Sequence, residues 1–122
     1  MHFSEDSMHF ALSIRNYQAG RLTTYSAEFC TPVVFFQNQA LTTLLPSTWS
    51  DLNETHFQAL ADLNPELILL GTGPSQHFCH PQLLEPLHKK RIGIEVMHTD
   101  AACRTFNLLL SEGRPVLAAL FI

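Results

Sequence analysis

The sequence predicts an α/β domain: a mixed central β-sheet flanked by helices, with a β-rich antiparallel N-terminal part. Three observations predict it. Apolar runs of strand length at 33–36, 67–70 and 116–122 show no polar alternation, as in strands buried on both faces. Stretches with apolar residues at helical spacing separate the later runs. The first third alternates apolar with polar residues or is rich in Thr and Tyr, as half-exposed antiparallel strands are. A chain of 122 residues fits a single hydrophobic core. One domain over 1–122 is expected, with polar residues 1–7 flexible.

In order along the chain, Met8, Phe10, Leu12 and Ile14 alternate with His9, Ala11, Ser13 and Arg15, a half-buried strand. Tyr17-Gln18-Ala19-Gly20 supplies a turn, and residues 21–27 return. After Pro32 comes the buried strand 33–36, then a Gln37-Asn38-Gln39 loop into 41–45. Asn53 caps a helix with Phe57, Leu60, Ala61 and Leu63 inward, and Pro65 ends it. Residues 67–70 form a buried parallel strand. Pro81 opens a helix with Leu83, Leu84 and Leu87 inward, short or kinked at Pro86. A further buried strand at 92–97 leads to a helix at 101–112, with Ala102, Cys103, Phe106, Leu109 and Leu110 on one face. Gly113 and Pro115 stop that helix before the closing strand.

Composition narrows the function. The chain is 46% apolar, so it can fold without disulfides or metal, and its net charge of −4 lacks the basic face a nucleic-acid binder needs. Lys89-Lys90-Arg91 sits where a helix ends and where cations favour its dipole. Three cysteines (Cys30, Cys79 and Cys103) without CxxC spacing fit free thiols in a reducing compartment. There is no run long enough for a membrane span and no signal or transit pattern at the N-terminus, so a cytoplasmic location is expected.

Gly71-Thr72-Gly73 follows a strand, but a third glycine would be needed where Gln76 stands, and Pro74 removes a donor. A sharp chain exit explains the glycines. His77-Phe78-Cys79-His80 offers three ligand types without a second cluster at zinc spacing, so it reads as a loop with His80 near a helix N-terminus, and no metal is expected. Trp49 reads as a cover over the sheet's edge. The corner after Met97 is the candidate site. Thr99 or Asp100 caps the helix, its free N–H groups suit an anion, and Cys103 in the first turn has a lowered pKa if solvent reaches it. Arg104 stands beside it, and Glu95 in an apolar strand calls for Arg104 or Arg114 as partner. If the strands ending at Leu70 and Met97 are parallel neighbours, their tips unite Gly71, Thr72, Gly73, His98 and Thr99 at the edge where open α/β sheets bind ligands.

Residues 92–97 (Ile-Gly-Ile-Glu-Val-Met), Thr99, residues 101–107 and Glu112-Gly113-Arg114, with Leu69-Leu70-Gly71-Thr72-Gly73 and Trp49 upstream, resemble the signature of the small proteins related to mitochondrial complex I assembly factor 3. The resemblance spans roughly residues 10–122 and implies a compact α/β fold and a protein-binding, assembly-type role. It carries no catalytic residues and no cofactor. The family's usual Asp before the Thr is His98 here, which leaves capping to Asp100. The leading expectation is a non-enzymatic interaction protein with a protein partner. The alternative is a small-molecule or anion binder, or an enzyme, using Thr72-Gly73 with Thr99, Cys103 and Arg104.

Overall fold

A hairpin opens the part of the chain that the computed structural model describes, residues 13–122. Strand β1 (Ile14–Gln18) pairs antiparallel with β2 (Arg21–Thr24), which pairs with β3 (Glu28–Phe29). Met8, Phe10 and Leu12 lie outside the described residues. Tyr17 and Gln18 belong to the strand rather than to the expected turn. Gly20, at φ 89°, closes the hairpin through Ala19-Gly20 alone. The returning segment splits into β2 and β3 because Thr24 Oγ1 accepts from the N–H groups of Ser26 and Ala27 and bends the chain.

Strand β4 (Val33–Phe36) is buried along its whole length, as its apolar run requires. It turns into β5 (Gln39–Leu41), with Gln37 and Asn38 at φ 51° and 63°. Two left-handed residues make a tight turn, so β5 starts at Gln39 and is shorter than the 41–45 reading. A 3-10 turn at Trp49–Asp51 leads to helix α1 (Glu54–Ala61). Asn53 Oδ1 accepts from Thr55 N–H at 2.9 Å, while the Asn53 N–H donates to His56 Nδ1 at 3.0 Å. This is a capping box with histidine in the place usually held by Glu or Gln. The helix ends before Asn64, at φ 56°, and Pro65.

Strand β6 (Leu67–Thr72) follows, then a 3-10 turn at Pro81–Leu84 and helix α2 (Glu85–Lys89). Pro86 does not kink a longer helix. It stands in the first turn of α2, where its missing N–H has no intrahelical acceptor to serve. Lys90 pairs with Asp62 and reaches Ala61 O at 3.4 Å, so the basic cluster also serves the carboxyl end of α1. Strand β7 (Gly93–Met97), helix α3 (Thr99–Ser111) and strand β8 (Val116–Phe121) complete the chain. Helix α3 closes in a Schellman motif, Gly113 N–H to Leu110 O and Arg114 N–H to Leu109 O, with Gly113 at φ 73°.

The main sheet runs β5-β4-β8-β6-β7. Strands β8, β6 and β7 are parallel, and β4 runs antiparallel to both of its neighbours, β8 and β5, so the sheet is mixed and the molecule is a single compact α/β domain. Side chains alternate across it with period two. Val34, Ile68, Leu70, Leu117 and Ala119 face α1 and α2. Val33, Phe35, Leu69, Ala118 and Leu120 face α3 and the small sheet, where Phe106 stacks on Phe35 at 5.9 Å. Strand β7 departs from the buried strand expected, because it lies at the sheet's edge with Gly93 and Glu95 exposed.

Leu70 is fully buried on the central strand, whereas Leu108 on α3 is 60% exposed. Leu70→Ala is expected to lower stability by about 2–5 kcal/mol. Leu108→Ala should stay within about 0.5 kcal/mol. Urea unfolding of the two variants measures both.

Candidate functional site

Strands β6, β7 and β8 run the same way, so their carboxyl ends share one rim. Gly71 stands opposite Met97 on one side and Leu120 on the other, and Thr72 opposite Phe121. The chain leaving β7 passes His98 and starts α3 at Thr99, which is wholly buried. The Thr99 hydroxyl accepts from Gly73 N–H at 2.8 Å and donates to Phe121 O at 2.6 Å. The Thr99 N–H donates to Gly73 O at 2.9 Å. One residue thus joins the exits of β6 and β8 to the start of α3.

This knot explains the glycines. A Cβ at Gly71 would lie 2.7 Å from Thr99 Oγ1 and 2.9 Å from Leu120 Cδ2, so only glycine lets α3 come this close. Gly73 takes φ 93°, and Thr72 Oγ1 donates to Ser75 O at 2.6 Å to fold the exit back. Neither Thr99 nor Asp100 caps α3. The N-cap is His98, whose side chain makes no capping bond, and Thr99 lies inside the helix because both its polar groups are engaged across the rim. The helix therefore begins two residues before the 101–112 reading.

The structure brings Gly71, Thr72, Gly73 and Thr99 together and sends the other candidates elsewhere. Cys103 is buried one turn along α3. Its thiol is pushed up to about 12 by burial first and then by Asp100, with Arg104 opposing. The solvent access on which a lowered pKa depended is absent, so removal from water decides the direction. Arg104 pairs with Asp100 at 2.6 Å on the exposed face of α3. Such a surface pair contributes at most about 0.5 kcal/mol. Glu95 takes neither expected partner, since Arg114 holds Glu66 at 2.9 Å. Its edge position leaves the carboxylate in water, where it needs none.

In the 77–80 loop, His77 stacks on Trp49 at 5.7 Å, and Trp49 meets Phe121 edge-on at 5.4 Å. The tryptophan packs at the tip of β8 beneath the loop. Cys79 is buried, which raises its thiol pKa, and His80 precedes the 3-10 turn without capping it. Among the described residues no group of three His, Cys, Asp or Glu side chains is placed to hold a metal ion.

Two features escaped the sequence reading. A groove of about 270 Å³ lies between β1 and α3, lined by Tyr17, Asp100, Cys103, Arg104 and Asn107 among others. Asn107 clips the two elements together, accepting from Ile14 N–H at 2.7 Å and donating to Ile14 O at 2.8 Å. Tyr17 Oη is buried there without a hydrogen-bond partner among the described residues, and burial, then Cys103 and Asp100, raises its pKa. A polar Asn among the apolar residues of α3 was the available signal. The second feature is Phe78, 75% exposed between a groove of about 210 Å³ beside Trp49 and another of about 370 Å³ beside Val96. An aromatic in a polar loop was its signal.

Comparison with known proteins places these features in a wider set. A family profile described as protein of unknown function (DUF498/DUF598) matches residues 14–121. The mouse protein named NADH dehydrogenase [ubiquinone] 1 alpha subcomplex assembly factor 3 is 39% identical over 87 residues, 63% of this chain and 47% of that protein. The chain thus spans about half the length of that relative. A Francisella tularensis protein named 13 kDa major membrane protein is 26% identical over 123 aligned positions, 95% of each chain. Among solved structures, a Bordetella parapertussis protein is similar with a TM-score of 0.80 and 32% identity, covering 89% of this chain and 93% of that one. A Bordetella pertussis protein described as an Mth938-like domain gives a TM-score of 0.79 at 25% identity, covering 99% of this chain and 90% of the other. The assembly-factor resemblance read from the residues is borne out. Among the described residues no helix is long and apolar enough to cross a membrane.

Thr99→Val keeps the shape of the side chain but leaves Gly73 N–H and Phe121 O unpaired. At roughly 1–3 kcal/mol per buried group, a loss of about 2–4 kcal/mol is expected in urea unfolding. For Cys103, the thiol stays protonated in both states below its ordinary value of 9.0. Above it the unfolded chain loses the proton first, so stability falls as pH rises towards 12. Cys103→Ala should flatten part of that fall, and a thiol reagent at pH 8 should label exposed Cys30 while sparing Cys103.

Proposed function

This chain belongs to the DUF498/DUF598 family, and we propose that it is an interaction protein serving the assembly of a larger complex. The client that its relatives' names supply is the respiratory NADH dehydrogenase. We assign it a protein partner, no cofactor and no catalytic step. The observation that carries this reading is the closed rim. Where an open α/β sheet would hold a ligand, the Thr99 hydroxyl already occupies the space between Gly73 and Phe121. The buried, protonated thiol of Cys103 further supports a structural part for that residue. Three free cysteines support a cytoplasmic location.

One observation favours a second reading, a small-molecule site. Cys103 and Arg104 line the groove in which Tyr17 Oη has no partner among the described residues. For an anion the site is poor, because Asp100 already neutralises Arg104.

A strain lacking the gene, analysed by native electrophoresis, tests the leading reading. Assembled NADH dehydrogenase should fall, and a tagged chain should co-purify with one of its subunits or intermediates. Cys103→Ser and Arg104→Ala should both restore the strain. Normal assembly without a recovered partner overturns the reading, and failure of either variant despite normal folding transfers support to the small-molecule site.

A further inference from the structure

Strand β7 ends the sheet, and its outer side is unpaired among the described residues. In a parallel ladder, alternate residues turn both backbone groups to the same neighbour. Gly93 N–H donates to Glu66 O on the β6 side, so Gly93, Glu95 and Met97 are spent on β6. The N–H and C=O groups of Ile94 and Val96 point outward and are bonded to nothing among the described residues. Beside them the groove of about 370 Å³ is lined by Val96, Gln76, His77, Phe78 and Cys79. Phe78 forms its exposed apolar wall. Ile94 and Val96 are only half-buried on that same face, packed against the α1 and α2 core.

Glu95 decides what can pair here. It is exposed in the middle of the edge and forms no ion pair among the described residues. In a second copy docked antiparallel, only one register uses both free residues: Ile94 opposite Val96 and Val96 opposite Ile94. That register sets Glu95 directly against Glu95 of the other copy. Glu95, whose backbone groups bond to β6, would sit at a non-hydrogen-bonded position of that pair, where opposite Cα atoms approach to about 4.5 Å and like charges oppose pairing. A charge in this place guards an edge against its own kind.

We propose that the β7 edge receives an extended segment of a partner protein as a sixth strand, with a lysine or arginine opposite Glu95 between two apolar residues. The basic residue meets the free carboxylate. The two apolar side chains fall on the Ile94 and Val96 face and run into the groove beside Phe78. This deepens the interaction reading above and rests on it.

The test uses the chain of residues 1–122 and two short synthetic peptides that alternate valine with threonine around a central lysine or a central glutamate. Hydrogen exchange at the Ile94 and Val96 amides reports pairing, and titration reports affinity. The lysine peptide should slow exchange at both amides and bind roughly five- to tenfold better than the glutamate peptide. Glu95→Lys should invert the preference, and Phe78→Ser should weaken both peptides. The proposal is overturned if neither peptide protects those amides, or if the preference ignores the charge at 95. It is also overturned if the amides are already protected in the free protein and lose protection on dilution or on removal of residues 1–12. The edge would then belong to a second copy or to the chain's own N-terminal segment. Failure of the wild-type chain to co-purify with any partner sinks the interaction reading itself. Co-purification that survives Glu95→Lys sinks only the edge.

Discussion

A single buried hydroxyl sets the geometry of the carboxyl rim. Thr99 Oγ1 takes a proton donor from Gly73 and gives its own to Phe121, which fixes the exits of two parallel strands against the first turn of α3. Such a group costs free energy unless both capacities are used, and here both are. The close approach it demands removes any side chain from position 71 and forces a left-handed glycine at 73. The bonds that lock the sheet also fill the place where a ligand would sit.

Much of the architecture was legible because local chemistry and tertiary packing agree in it. The cap at Asn53, the stop at Gly113 and the apolar runs of β4, β6 and β8 all lie where their residue types put them. The site was legible only in part. That β6 and β7 end side by side follows from a crossover between parallel strands. The acceptor of the Thr99 hydroxyl lies 22 residues further on, and no local pattern announces it. Spacing alone made Thr99 a cap because threonine before a helical stretch ordinarily is one. Cys103 was placed correctly on the helix, but whether water reaches its thiol depends on what packs over it, and spacing does not carry that. Glu95 seemed to need a partner only while β7 was taken for an inner strand.

Several residues of the family signature gain separate physical reasons. Phe106 stacks on Phe35, Asn107 replaces a strand partner for the Ile14 backbone, and Arg114 holds Glu66 just after the helix stop. These contacts bind α3 to the small sheet, to β4 and to the start of β6. They are structural duties. The signature residues in α3 and just after it therefore mark how this fold is locked.

The position of β8 has a consequence for how the protein is made. It is sequentially late yet spatially central, inserted between β4 and β6. On the ribosome, β4 and β5 can form their hairpin early, but β4 and β6 have no shared neighbour until residues 116–121 clear the exit tunnel. Until then the buried strands β4 and β6 lack the neighbour that pairs their facing edges, the period in which the nascent chain is most exposed to misassociation.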